Sequence, residues 1–405
     1  MMIPRKHNSG VCAMSAGLLM IGGLVFISMQ TIPEAAASNI QQVVNRNSNA
    51  NFVRAERPKI QIAILLDTSN SMDGLIDQAR NQLWQAVNEF AKLKRNGLTP
   101  TLEVAVYEYG NSGLSTQTGY IRQVTPFTRE LDQVSEAFFS LTTNGGAEYC
   151  GYVINSAATE LQWSTDDKDI KAIFIAGNEA FTQGPVPFEE AINLAKHKTI
   201  TVHTIFAGDR REGEQSGWKQ GALLAGGNYM NIDANQRIVH VEAPQDKKIA
   251  ELNAKLNKTY VPYGEQGAQK AQRQLEQDTK SESVSVGLLA KRARSKASPL
   301  YNNANWDLVD AVEDGIVKLE NLGTDTLPAD MKAMDDEEKA HYVAGKAAER
   351  KKLKKEIAVL SKARDEYVAA KAQQAAGDAA NTVNDALTAA IRDQGHKKGF
   401  VSGAN

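Results

Sequence analysis

The stretch 59–67 is almost unbroken apolar chain: Ile60, Ile62, Ile64, Leu65 and Leu66, closed by Asp67. A run of that kind suits a strand buried on both faces, as in the middle of a parallel sheet. The period then changes. Over 72–95, Leu75, Ile76, Ala79, Leu83, Ala86, Val87, Phe90 and Leu93 recur at helical spacing. The stretch 102–109 alternates as a strand, and 120–127 reads as a further strand on an edge. Helical spacing returns over 131–141 and 149–163. A mostly apolar strand follows at 170–175, broken only by Lys171. Next come a helix over 188–197, a strand over 200–206, a helix over 218–224, a short strand over 229–232 and a closing helix over 247–256. Strands and helices alternating over about 200 residues predict an α/β fold with a doubly wound, mostly parallel sheet. In such a sheet the functional loops lie at the carboxyl ends of the strands.

Apolar strand runs stop after Tyr263. Residues 263–405 are rich in Ala, Lys, Glu and Gln, and predict an α-helical C-terminal region. Its helical candidates are 268–277, 306–322, 336–374 and 379–394. Leu353, Ile357, Leu360 and Tyr367 give the spacing of a bundle or coiled-coil stripe. Gly377-Asp378 interrupts the pattern, so a helical hairpin or coiled-coil-like segment is expected over about 335–394. The basic run from Lys291 to Lys296 reads as a solvated loop or helix face.

Composition narrows the class. Hydrophobic residues at 42% and charged residues at 23% exclude a disordered or collagen-like chain, and a net charge of -2 gives no field that would steer it to nucleic acid. The N-terminus has its own logic. Arg5, Lys6 and His7 precede an uncharged apolar stretch over 11–29, and Ala35-Ala36-Ala37 follows. That order predicts a signal peptide over 1–37 and an exported protein, periplasmic or secreted. The rival is an uncleaved membrane anchor, since the apolar stretch is just long enough to span. An Asn-, Gln- and Ser-rich linker over 38–57 comes next. Cys150 is then the single remaining thiol, expected to be buried as a small hydrophobe. His203 falls in an apolar strand and reads as core. No H-E-x-x-H, nucleophile elbow or phosphate loop is present, so the chain is not expected to be an enzyme.

The candidate chemistry follows the first strand directly, in Asp67-Thr68-Ser69-Asn70-Ser71. A carboxylate and two hydroxyls at alternate positions of one tight loop can turn three oxygens inward, and oxygen donors suit a hard cation. Helix capping by Ser71 is the simpler use, but it needs neither Asp67 nor both serines. With this loop, the chain resembles the von Willebrand factor type A domain and its metal-ion-dependent adhesion site. It is more closely similar to a family of exported bacterial type A proteins. The resemblance rests on Leu65-Leu66-Asp67-Thr68-Ser69-Asn70-Ser71-Met72, Gly145-Gly146-Ala147-Glu148-Tyr149-Cys150-Gly151, Ile173-Phe174-Ile175-Ala176-Gly177-Asn178-Glu179 and Gly217-Trp218-Lys219-Gln220-Gly221-Ala222-Leu223-Leu224.

The resemblance implies a type A domain over 58–262. It implies that Ser69 and Ser71 bind a divalent ion directly, Mg²⁺ or else Mn²⁺ or Ca²⁺, and that Asp67 binds it through water. Two positions depart from the family pattern: Ala147 stands where a threonine ligand is expected, and Gly177 where an aspartate is. Glu148 and Glu179 are the nearby carboxylates that could replace them, so the adhesion site is partly degenerate. The expected function is an exported interaction or adhesion module that binds a protein partner through its loop face, assisted by the cation. The alternative is a structural envelope protein in which this domain is a scaffold and the C-terminal helices drive assembly and self-association. Nucleic acid is not an expected partner, nor is a stable membrane span once the signal is cleaved.

Overall fold

Six strands make the central sheet: β1 (Lys59–Asp67), β2 (Thr101–Tyr109), β3 (Ile121–Thr128), β4 (Ile170–Gly177), β5 (Thr201–Ala207) and β6 (Tyr229–Ile232). The computed structural model describes residues 57–232, 241–375 and 383–402. The expected signal peptide over 1–37, the linker up to residue 56 and the Gly377-Asp378 break lie outside the described residues. The strand order is β3-β2-β1-β4-β5-β6. Every neighbouring pair is parallel except β2 with β3, which is the antiparallel edge. The order reverses between β1 and its two partners, which opens a crevice at the carboxyl ends of β1, β2 and β4. Asp67 lies opposite Tyr109 in register there, and Leu66 opposite Ala176.

Successive side chains of β1 enter different cores, as strand geometry requires. Ala63 and Leu65 face a layer formed by α3 (Cys150–Glu160), α4 (Phe188–His197) and α6 (Trp218–Leu224), with a short α5 (Arg210–Gln215) between the last two. Ile60, Ile62 and Leu66 face the other layer. That layer contains α1 (Asp73–Phe90), α2 (Leu131–Ser140), α7 (Asp246–Asn257), α8 (Gly267–Val284), α9 (Val286–Ala297), α11 (Asp336–Ala375) and α12 (Val383–Lys397). A short α10 (Leu308–Glu313) lies beside α11. The doubly wound, mostly parallel sheet and the helical C-terminal region therefore take the form the pattern predicts.

The C-terminal helices pack against the same core as the sheet. Leu288, Leu353, Ile357 and Ile391 join the cluster that contains Ile60 and Ile62, and Arg57–Asn405 forms one compact unit. Helix α11 packs on α7 and α9, whereas α12 packs on α1 and β6. Val401–Ser402 then pairs antiparallel with Leu93–Lys94. Two expectations are corrected. Helix α10 ends far short of residue 322, because Asp307 caps its start and Gly315 follows in the left-handed region at φ 67°. The basic run is not a solvated face. It lies in α9, where Arg292 and Lys296 are fully buried. Arg292 pairs with Asp132 and Asp278, and Lys296 with Asp278. Burial would raise the Asp278 carboxyl, but the Lys296 and Arg292 charges hold it well below the usual range.

Candidate functional site

Three loops meet the β1–α1 loop at the crevice: 110–120 after β2, 141–149 before α3, and 178–187 after β4. Backbone bonds tie them together. The Thr68 N–H donates to the Tyr109 carbonyl at 2.9 Å, and the Asn144 N–H to the Thr68 carbonyl at 2.9 Å. The Ser112 N–H donates to the Gly145 carbonyl at 2.9 Å. The Asn111 amide reaches the Thr142 carbonyl at 3.0 Å, and the Tyr120 and Tyr149 rings meet edge to face at 6.0 Å. Groups bonded to one another in this way make a loop face with little freedom to rearrange.

The floor of this face is acidic and closed. Asp67 ends β1, and its Oδ1 accepts the Ser69 N–H at 2.7 Å. Glu148 arrives from the neighbouring loop, fastened by its own N–H to Gln183 Oε1 at 2.6 Å. The Asp67 and Glu148 side chains are neighbours beside Gly110, and Ser69 acts on both carboxyls. Burial, followed by the Asp67 neighbour, pushes Glu148 up to about 10, and burial raises Asp67 as well. Asp67 Oδ2 and Glu148 Oε2 are buried and have no hydrogen-bond partner. Asp67 is 0% exposed and Glu148 3%.

Of the residues singled out in the sequence, Asp67, Ser69 and Glu148 converge. Ser71 follows in the 3₁₀ turn Asn70–Met72. Glu179 is exposed, and its charge acts on the carboxyl pair only as a minor repulsion, while its carbonyl accepts the Trp218 indole N–H at 2.7 Å. Gly177 lies where the resemblance expects a ligand aspartate. A Cβ there would come within 2.4 Å of the Tyr109 hydroxyl and 3.1 Å of Asp67 Oδ2. That hydroxyl donates to the Ala176 carbonyl at 3.0 Å, with Cys150 Sγ at 3.8 Å. Cys150 is free and fully buried, and burial raises its thiol well above the usual range. On the other face of the sheet, Thr68 donates to the buried Glu108, which also pairs with Arg122.

Tyr109 and Gln183 carry much of the site, and sequence reasoning did not single them out. Tyr109 reads as an ordinary strand residue and Gln183 as an ordinary loop residue. No local signal distinguishes either.

The donor set was compared with the cation implied by the resemblance. Mg²⁺ needs near-octahedral oxygen coordination and usually keeps several waters. Asp67 Oδ2 and Glu148 Oε2 face no hydrogen-bond donor, whereas the Tyr109 hydroxyl fills the space beside Gly177 where the resemblance expects an aspartate. Two buried carboxylate oxygens left unpaired beside Ser69 are the kind of donor a hard cation takes. Among the described residues, no group of three or more His, Cys, Asp or Glu has a metal-binding arrangement.

No family model matches the chain, and no curated protein does either. Solved structures are similar over 44% of its length. One is the VWA domain of SpRpn10, at 15% identity and a TM-score of 0.32, with 91% of that chain covered. Another is an aerotolerance-related membrane protein from Bacteroides fragilis carrying multiple mutations to serines, at 18% identity and a TM-score of 0.29, with 93% covered. A third is the pilus adhesin SpaC from Lactobacillus rhamnosus GG in its open conformation, at 13% identity and a TM-score of 0.32, with 28% of the adhesin covered. At these scores the likeness adds nothing to the strand order described above. Among the described residues, no helix is long and apolar enough to cross a membrane.

Proposed function

We propose that this chain is a non-enzymatic interaction module that binds a protein partner through the loop face above Asp67 and Glu148. The observation that carries this reading is the makeup of the three loops. Exposed positions include Ser112, Ser115, Thr116, Gln117, Thr142, Asn144 and Thr182, with the half-buried rings of Tyr120 and Tyr149 between them. Side chains of this type, on a loop framework already bonded together, give adaptable hydrogen bonding at a low ordering cost. Loops 110–120, 141–149 and 178–187 contain no Lys or Arg, which disfavours phosphate-bearing partners such as nucleic acid. Burial of Asp67, Glu148 and Cys150 favours binding over catalysis, since a reacting group must reach its substrate.

Export, as read from residues 1–37, would place this face in the periplasm or outside the cell. The envelope-scaffold alternative draws less support. The helices it would use for assembly contribute Leu353, Ile357 and Ile391 to the chain's own core.

The test is photo-crosslinking in the native host from Asn144, with Lys352 on the exposed side of α11 as the control position. A discrete adduct from Asn144, absent from Lys352 and competed by purified protein, is the expected result. Equal labelling from both positions, or adducts only from Lys352, would overturn the reading.

A further inference from the structure

His203 lies where the sheet meets the last helix. It is 2% exposed, and its ring stacks on the Phe174 ring of β4 at 4.7 Å. Both ring nitrogens have a use. The Asn228 N–H, just before β6, donates to Nδ1 at 3.1 Å. A ring nitrogen that accepts carries no proton, so the proton of the neutral ring sits on Nε2. Nε2 faces Oε1 of the buried Gln394, on α12, at 3.5 Å. The Gln394 amide is fixed from its other end, because its Nε2 donates to the Lys171 carbonyl of β4 at 3.1 Å. The described groups around the ring offer it no unpaired carboxylate. β4 presents Phe174, and the chain entering β6 presents the Asn228 N–H. On α12, Asp393 and Lys397 act on the ring, but they pair with each other at 2.7 Å. Glu89 of α1, which packs on α12, is held by Lys92 and Arg392. A second ring proton would therefore set one N–H against another, in a place that water does not reach.

We infer that His203 is an acid-sensitive latch for α12: the neutral ring holds the helix on the sheet, and the protonated ring releases 383–402 while the sheet beneath stays folded. The opening is local because the other buried pairs lie elsewhere. Arg350 of α11 keeps Asp307 and Asp310, and Arg364 of α11 keeps Asp246 of α7. Units of this size open separately from the whole when few bonds hold them. Burial lowers the His203 imidazole from 6.5 to about 4. A base lowered on folding stays neutral in the folded state. The stability tied to it is whole above about pH 6.5 and is lost as pH falls toward 4. Between about pH 7 and pH 4.5 the opening equilibrium of α12 should therefore rise roughly 50-fold. His203 lies toward the amino end of β5, away from the loop face, so the latch and partner binding can fail separately.

The experiment is hydrogen–deuterium exchange, followed by mass spectrometry, on the purified chain at about pH 7 and about pH 4.5. Rates are corrected for the intrinsic effect of pH on exchange. Exchange over α12 is read rather than global unfolding, which also carries the opposite pH dependence of Glu148. The expected result is the roughly 50-fold rise in opening over 383–402, with β1 and α3 unchanged. His203→Asn keeps an acceptor beside the Asn228 N–H but does not titrate, and should show no such rise. Gln394→Leu removes the ring's partner on α12 and should raise exchange there already at about pH 7. Equal rises in wild type and His203→Asn would overturn the inference. So would wild-type protection that is the same at both pH values, or that is lost in β1 and α12 alike. If His203→Asn does not fold, Gln394→Leu decides, since unchanged exchange over α12 at about pH 7 contradicts a latch.

Discussion

Two neighbouring carboxyls buried together make the floor of this site testable by pH alone. Glu148 is raised from 4.5 to about 10, and Asp67 is raised as well. A raised acid binds more protons in the folded state. Its stabilisation is therefore complete below the unfolded value and is lost as pH rises through the folded one. Urea unfolding of wild type should show stability declining between about pH 5 and 10, and Glu148→Gln should flatten that slope. Identical slopes would show that burial does not shift Glu148. Gly177→Ala gives a second reading. Its methyl would meet the Tyr109 hydroxyl, so it should cost about 1–3 kcal/mol as an overpacked site. Combining it with Tyr109→Phe should recover part of that loss in a double-mutant cycle, and strict additivity would contradict the contact. At this scale Asp67 and Ser69 were legible from their spacing on one loop, and Glu148 only through the resemblance, as the carboxylate next to Ala147. Tyr109 and Gln183 were not, since each acts on a residue distant in sequence.

At the scale of elements, the strands were legible from period alone, because a sheet buried on both faces leaves continuous apolar runs such as 60–66, but period says nothing of their order in the sheet. The helices covering it were harder to read. Helix α9 carries Arg292 and Lys296 into the core, and nothing in a basic run announces that Asp132 and Asp278 wait on other helices. Its local signals were the capping Ser285, whose Oγ accepts the Leu288 N–H at 3.0 Å, and the Leu288-Leu289 pair. The same device fixes α11. Arg350 lies over the Tyr260 ring at 4.2 Å and bonds to Asp310 Oδ1 at 2.7 Å and Asp307 Oδ1 at 3.1 Å. Removing one side of a buried pair leaves the other charge unpaired. Arg350→Ala should therefore cost about 3–5 kcal/mol in chemical unfolding. Lys352→Ala, on an exposed position of the same helix, should stay within about 0.5 kcal/mol. Equal effects would remove α11's role as a brace.

For the whole molecule, the composition divides at residue 263 but the packing does not. The stripe of Leu353, Ile357, Leu360 and Tyr367 was read as a bundle or coiled-coil surface. Leu353 and Ile357 on it are instead buried in the core that the sheet shares. Period identifies a buried face without naming what buries it. Deleting 336–405 should therefore unfold or aggregate the remainder, because Asp246, Asp307 and Asp310 would lose Arg364 and Arg350. Circular dichroism and light scattering of the truncated chain provide the check. A monomeric, cooperatively folded truncation would contradict a shared core and would favour the helices as an assembly device.

The most direct measurement is the photo-crosslinking yield from Asn144 in the native host. The account predicts one discrete adduct that purified protein competes away and that Lys352 does not give. Equal labelling from Asn144 and Lys352, or adducts from Lys352 alone, would contradict it.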